Sequence, residues 1–356
     1  MIETELQTLA RPDLWEWATY QTSKSLQPDA IRLHCNENPW APQASSCPGM
    51  NRYPDQQPAQ LVQRLAELSG VSPECLLVTR GADDGIDLLV RAFCQPGEDR
   101  IIQCPPTFVM YEFFARLQGV QVQNVPLMSE AFQVDFVRLQ EALGKLIFLC
   151  SPNNPTGSVT NNEVVIQLAE SKKDQSVVVV DEAYVEFASL PSLARAATER
   201  SNLVVLKTLS KAWSLAGARL GFVIGHPRLI QYLKTVLTPY PMSQASIDVA
   251  VRSLTKECET ESRRRIDVIC ERRETVRQSL QQFSFVQKVF PSHGNFLLVK
   301  VDHAKRFMQF INQQGFLIRD QSSQPGLENC VRISIGASDE MQMLLKQMKR
   351  YQEVQV

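Results

Sequence analysis

The sequence predicts an α/β fold: a large domain with a mainly parallel sheet flanked by helices, a smaller α+β C-terminal domain, and an N-terminal arm. Three observations carry this. Between about residues 59 and 210, short continuous apolar runs alternate with helical stretches, the pattern of strands buried on both faces. After Thr238-Pro239-Tyr240-Pro241 the alternation gives way to a long polar helical stretch and a few separate strands. The length, 356 residues, exceeds what one hydrophobic core ordinarily serves.

Residues 1–50 read as the arm. They hold Pro12, Pro28, Pro39, Pro42 and Pro48 with Trp15, Trp17 and Trp40, too irregular to build a core, so the segment lies over another surface. Residues 51–240 read as the large domain. Ala59 to Gly70 is a helix stopped by glycine, Leu76–Thr79 a buried strand, and Ala82 to Phe93 a helix ended by Pro96-Gly97. Further strands are predicted at Arg100–Gln103, Gln121–Val125, Leu146–Leu149, Val177–Val180 and Leu203–Leu206, and a helix from Asn162 to Ser171. Residues 241–356 read as the smaller domain. One helix is predicted from about Ser246 to Gln282, then strands at Asn295–Val299 and Val331–Ile335, a helix near Ala304–Gln314, and a last helix. The arginines Arg263, Arg264, Arg265, Arg272 and Arg273 alternate with Glu257, Glu259, Glu261, Asp267, Glu271 and Glu274. That is a solvated helix face rather than a nucleic-acid surface.

Composition narrows the function classes. Apolar residues at 44% and charged residues at 21% are ordinary globular values. Lys plus Arg (37) balances Asp plus Glu (38), so no charge excess draws nucleic acid or an anionic membrane. No apolar run spans a bilayer, and the acidic start Met-Ile-Glu-Thr-Glu lacks a secretory pattern. Nine scattered Cys include no C-x-x-C pair, so a cytoplasmic location and no metal site are expected.

Ligands in open α/β sheets gather beyond the carboxyl ends of strands, and polar clusters stand at four predicted strand ends. Thr79-Arg80-Gly81-Ala82-Asp83 leads into a helix, whose first backbone N–H groups suit an anion. It matches neither Gly-x-Gly-x-x-Gly nor the loop ending in Gly-Lys-Ser/Thr, which counts against nicotinamide and ATP. In Ser151-Pro152-Asn153-Asn154-Pro155-Thr156-Gly157, two prolines and a glycine fix the backbone and can aim the Asn154 amide into a crevice; the plain alternative is a turn. Asp181-Glu182-Ala183-Tyr184 puts a carboxylate at the end of four valines, costly to desolvate without a cation or strong donors. A pyridinium nitrogen would answer that need, and a capping role is the alternative. In Thr208-Leu209-Ser210-Lys211, desolvation and a neighbouring cation can turn the lysine into a nucleophilic amine, the plain alternative being a solvated loop lysine, and Arg219 follows.

The order of these elements, with Asp181 following Asn154 by 27 residues and Lys211 following Asp181 by 30, resembles the fold-type I pyridoxal-phosphate aminotransferases. Within them the chain resembles the histidinol-phosphate aminotransferases over essentially its whole length. The resemblance is carried by Leu33-His34-Cys35-Asn36-Glu37-Asn38-Pro39, Asn51-Arg52-Tyr53-Pro54, Arg80 to Ile86, Cys104-Pro105-Pro106-Thr107, Val180 to Phe187, Ile318-Arg319-Asp320-Gln321 and Val331 to Gly336. It implies that Lys211 holds pyridoxal phosphate as a Schiff base and moves the substrate proton, while Asp181 keeps the ring nitrogen protonated. Tyr184 and Asn154 would hydrogen-bond the ring hydroxyl, and Phe108 would stack on the ring. Ala82, Asp83, Ser210 and Arg219, with Thr208, would hold the phosphate. Tyr53 would reach the phosphate of a neighbouring subunit, implying a homodimer. Arg332, Arg319, Asn154 and Tyr20 would bind the substrate, Arg332 taking the glutamate carboxylate and the phosphate of histidinol phosphate in turn.

The implied reaction is transamination of L-histidinol phosphate with 2-oxoglutarate to imidazole-acetol phosphate and glutamate, a step of histidine biosynthesis. Threonine-phosphate decarboxylases and aromatic aminotransferases share the cofactor residues, and Arg319-Asp320-Gln321 favours the histidinol-phosphate reading. The chain departs from the family's frequent residues at Ala218 and Ala337, both small-volume changes near the site.

Overall fold

The computed structural model describes residues 2–15, 35–43, 49–128 and 131–355. Seven strands, β1 (Leu76–Thr79), β2 (Arg100–Gln103), β3 (Gln121–Asn124), β4 (Leu146–Cys150), β5 (Val177–Asp181), β6 (Leu203–Thr208) and β7 (Gly221–Ile224), form one sheet ordered β1-β7-β6-β5-β4-β2-β3. β7 runs antiparallel to β1 and β6, while β3, β2, β4, β5 and β6 pair in parallel. The fold is α/β. Each predicted strand of the large sheet is present, and β7 is an addition the sequence reading did not separate from the Arg219 segment.

Helices α1 (Ile2–Leu9), α2 (Pro12–Trp15), α3 (Ala59–Ser69), α4 (Ala82–Phe93), α5 (Met110–Leu117), α6 (Phe136–Glu141), α7 (Asn162–Ser171), α8 (Ala194–Thr198), α9 (Pro227–Val236) and α10 (Gln244–Ser253) accompany this sheet. Its two faces are both covered. Val178 and Val180 of β5 pack with α3, α7 and α10, while Val177 and Val179 pack with α4, α5 and α9 on the other side. Alternate side chains thus meet apolar neighbours on opposite faces, which is why the strand reads as an unbroken valine run. Each buried valine contributes about 1.5–3 kcal/mol, so the strand ends are firmly anchored. Leu6, Leu9 and Leu14 of the arm join the face formed by α4 and α9.

The second sheet, ordered β10-β11-β9-β8, is antiparallel and comprises β8 (Val286–Val289), β9 (Phe296–Val301), β10 (Arg319–Asp320) and β11 (Cys330–Ser334). It packs against α11 (Lys256–Leu280), α12 (Ala304–Gln313) and α13 (Ser338–Gln355) through Leu280, Phe307 and Leu344.

The single helix expected from Ser246 to Gln282 is corrected to two. α10 ends against the large-sheet core at Leu254, and Thr255 starts α11 by accepting the Cys258 N–H on its side chain. Met242, Ile247, Ala250 and Leu254 all belong to the core of the seven-stranded sheet. Among the described residues no helix is long and apolar enough to cross a membrane. No group of three His, Cys, Asp or Glu among them is placed to hold a metal ion.

Candidate active site

The carboxyl ends of β4, β5 and β6, the first turn of α4 and the edge of the second sheet enclose a cavity of about 500 Å³, within the range of small-molecule sites.

One end is an anion cup. Gly81 turns the chain into α4 with φ +89°, and Ala82 and Asp83 line the cavity. Gly221 of β7 lies directly beneath: a Cβ there would come within 2.6 Å of the Ala82 nitrogen and 2.7 Å of the Lys207 carbonyl oxygen. Glycine alone lets the strand support the helix start so closely. Opposite, the Thr208 hydroxyl donates to Ser210 Oγ (3.0 Å) and accepts the Ser210 N–H (3.1 Å). Arg219 donates to the Ala216 carbonyl (3.3 Å), lies 3.5 Å from Ser210 Oγ, and pairs at 3.6 Å with Asp83. Backbone N–H groups, a hydroxyl and a guanidinium converge here, as phosphate recognition requires.

The floor is Asp181, only 2% exposed at the end of β5. Burial pushes its carboxyl above the usual range; the Tyr111 hydroxyl and the Ala183 N–H pull it back. Lys211 opens to water from the cavity, although most of its surroundings are protein. Burial first, then the Arg332 charge, lowers its pKa, with Arg219 acting the same way and Asp83 and Asp181 opposing. Its Nζ stands 5.8 Å from the centroid of the Tyr184 ring. Tyr184 is buried edge-on to Phe296, and burial raises its phenol pKa while Arg332 opposes.

The far wall comes from the second sheet. Arg319 and Arg332 are cross-strand partners on β10 and β11, and both line the cavity. Arg332 donates to Asn154 Oδ1 and lies 5.6 Å from the centroid of Phe296. Burial, and after it the like charge of Arg319, lowers its pKa. Two guanidiniums directly opposite repel one another, so this wall calls for an anion. Asn154 is held by the Asn-Pro turn, where Asn153 accepts the Thr107 hydroxyl and donates to the Pro106 carbonyl and Thr156 Oγ1. Phe108 lines the same cavity.

The structure therefore brings together Ala82, Asp83, Phe108, Asn154, Asp181, Tyr184, Thr208, Ser210, Lys211, Arg219, Arg319 and Arg332. Tyr53 does not line this cavity. It is 47% exposed and stacks on Tyr240 at 4.4 Å. Tyr20 lies outside the described residues. The sequence reading did not single out Tyr111, Cys150 or Gln324, nor the buried network in which Lys207 meets Glu186 (2.9 Å) and Glu182 (3.8 Å) behind the site. A polar residue inside an apolar strand was the signal for Lys207. Nothing local distinguished Tyr111 from a packing aromatic.

These residues fit pyridoxal phosphate. The cup suits its phosphate, the buried Asp181 its ring nitrogen, Tyr184 and Asn154 its ring hydroxyl, and the Lys211 amine its aldehyde. The cradle is built without side-chain bulk at Gly81 and Gly221.

Residues 18–348 match the family described as aminotransferase class I and II. A histidinol-phosphate aminotransferase from Serratia proteamaculans is 40% identical over 344 residues, covering 96% of this chain and 95% of that protein. Among solved structures, a histidinol-phosphate aminotransferase from Clostridium acetobutylicum superposes with a TM-score of 0.78 at 20% identity, over 86% of this chain and 92% of that one. Another, from Sinorhizobium meliloti in complex with pyridoxal-5'-phosphate, gives 0.76 at 22% identity, over 86% and 84%. Both share the fold. The sequence match, whose full length includes every part of the cavity, places the chain in the class I and II aminotransferase family, among the histidinol-phosphate aminotransferases.

Proposed function

We propose that this chain transfers the amino group of L-histidinol phosphate to 2-oxoglutarate, giving imidazole-acetol phosphate and glutamate, with pyridoxal phosphate as cofactor. The observation that carries the substrate assignment is the Arg319–Arg332 pair facing the same cavity as Lys211 and Asp181. A cavity with a phosphate cup at one end and two guanidiniums at the other accepts a second anion, the phosphate of one substrate or a carboxylate of the other.

When bound, pyridoxal phosphate supplies an aldehyde to the amino donor and a cationic ring that draws electrons from the Cα–H bond. Ala82 and Asp83 N–H, Ser210 and Arg219, with Thr208 ordering Ser210, hold its phosphate. Asp181 Oδ atoms hold a proton on the ring nitrogen. Phe108 covers a ring face, and Tyr184 and Asn154 orient the ring hydroxyl. Lys211 Nζ, its basicity lowered, takes the Cα proton and redelivers it. Arg332 and Arg319 fix the substrate anion.

The working unit is a homodimer in which Tyr53, exposed on its own chain, reaches the neighbour's phosphate; the location is cytoplasmic. The chain divides into an arm over residues 1–50, a large domain starting at residue 51 and a small domain that ends the chain. The boundary between the large and small domains lies at Leu254 rather than near residue 240, because α10 packs against the large sheet.

Steady-state kinetics with L-histidinol phosphate, phenylalanine and threonine phosphate as donors test the assignment. Histidinol phosphate should give the highest kcat/KM. Preference for phenylalanine, or carbon dioxide release from threonine phosphate without 2-oxoglutarate, would overturn it.

A further inference from the structure

Asp181 does not meet the cavity on its own. Its Oδ2 accepts a 2.7 Å hydrogen bond from the Tyr111 hydroxyl, and its Oδ1 accepts the Ala183 N–H at 3.0 Å. Tyr111 sits in the first turn of α5, 70 residues earlier in the chain, and is wholly buried. Its ring stacks on Phe148 of β4, with centroids 4.8 Å apart and planes 10° apart, and meets Phe108 edge-on at 5.7 Å and 83°.

Packing alone does not ask for a tyrosine here. Phenylalanine would make the same two ring contacts without burying a hydroxyl, which costs free energy unless it is bonded. The hydroxyl is bonded, and to a carboxylate, where a hydrogen bond is worth most. A carboxylate offers about four acceptor sites; two of Asp181's are taken by these donors, which fixes its rotation. The other charged or titratable groups coupled to Asp181 are Asp83 from α4, Lys211 after β6, Cys150 at the end of β4 and Tyr184 just after β5. Asp83 opposes ionisation of Asp181 and Lys211 favours it, whereas Tyr111, held neutral by its burial, donates at any working pH.

We propose that Tyr111 is a positioning residue for transamination: its hydroxyl holds Asp181 ionised and turned toward the cofactor's ring nitrogen, and its ring braces Phe108 against the ring face. The inference rests on the roles assigned above to Asp181 and Phe108. Tyr111 touches neither substrate nor cofactor and acts through these two side chains.

The test loads the enzyme with pyridoxal phosphate labelled with nitrogen-15 in the ring and reads the ring-nitrogen resonance, which separates protonated from neutral pyridine. Tyr111→Phe should move it toward neutral pyridine and weaken pyridoxal phosphate binding about tenfold, the effect of one lost hydrogen bond to a charged group. kcat should fall by a similar factor while KM for the amino donor changes less than about twofold. Incorporating 3-fluorotyrosine at position 111 keeps the shape and strengthens the donor, so the resonance should move the opposite way even if Tyr111→Phe does not fold. A protonated resonance in the wild type that neither replacement shifts would overturn the role of Tyr111 alone. A neutral ring nitrogen in the wild type would instead remove the role of Asp181 and this inference with it.

Discussion

Replacing Arg332 by glutamine tests the far wall of the cavity most directly. Glutamine retains an amide that can still donate to Asn154 Oδ1, so the Asn-Pro turn keeps its partner while the charge is removed. A bidentate guanidinium contact to an anion comprises two charge-assisted hydrogen bonds, each worth about 1.5–3 kcal/mol, so the gross loss is about 3–6 kcal/mol. Against this, Arg319 is freed from a like charge directly across the strand pair, which returns up to about 1 kcal/mol. The net, roughly 2–5 kcal/mol, corresponds to a fall in kcat/KM of about thirtyfold to a few thousandfold. Because one pocket serves both substrates in turn, the loss should appear in both half-reactions. Single-turnover stopped-flow measurements, with histidinol phosphate on the loaded enzyme and 2-oxoglutarate on the aminated one, read them separately. A fall confined to the 2-oxoglutarate half would refute the shared pocket, since the phosphate would then be bound elsewhere.

Other expectations follow from the same geometry. Gly221→Ala puts a Cβ against the Ala82 nitrogen and the Lys207 carbonyl, so the start of α4 must lift off β7. A stability loss of about 1–3 kcal/mol by denaturant titration, together with weaker pyridoxal phosphate binding, is expected, and wild-type values for both would be inconsistent with the packing described. Lys211→Met should abolish transamination without lowering the melting temperature of the cofactor-free protein at neutral pH. A lysine whose pKa is lowered on folding costs stability while it is protonated, so any advantage of the mutant should begin to fade once pH passes that lowered value and be gone above the ordinary lysine range. A mutant advantage that grows with pH would contradict the sign. Lys207→Met leaves Glu186 and Glu182 without their buried cation and should cost about 3–5 kcal/mol in urea unfolding. Adding Glu182→Gln and Glu186→Gln should recover most of that loss, and no recovery would show that the charges were not its source.

How much of this was readable from the chain depended on whether the signal was local. β4, β5 and β6 are runs of buried apolar residues ending in polar motifs, so both the strands and the residues at their tips could be found from the sequence. The break between α10 and α11 was missed because polar helical character continues across Leu254-Thr255. The available clue was a threonine able to cap the helix with glutamates just after it. β7 was missed because Gly221–Ile224 is short and adjoins the Arg219 motif, and only its pairing with β1 and β6 defines it. Tyr111 is the clearest case of nonlocal information: its partner lies 70 residues away, and α5 gives no sign that one of its aromatics carries a hydrogen bond to the site. Tyr53 belongs to a different class, since its proposed role concerns a second chain.

The Arg332–Asn154 contact joins residues 178 positions apart and ties the second sheet to the first. Cofactor in the phosphate cup together with a substrate anion on the guanidinium wall therefore forms a crossbar between two separately built cores. Occupancy at one hundred times the dissociation constant would add about 2.7 kcal/mol to the native state, on the order of a buried side chain. Joint supply of cofactor and substrate would then set not only how fast this protein works but how long each copy withstands proteolysis, and molecules lacking both should be the first to be cleared.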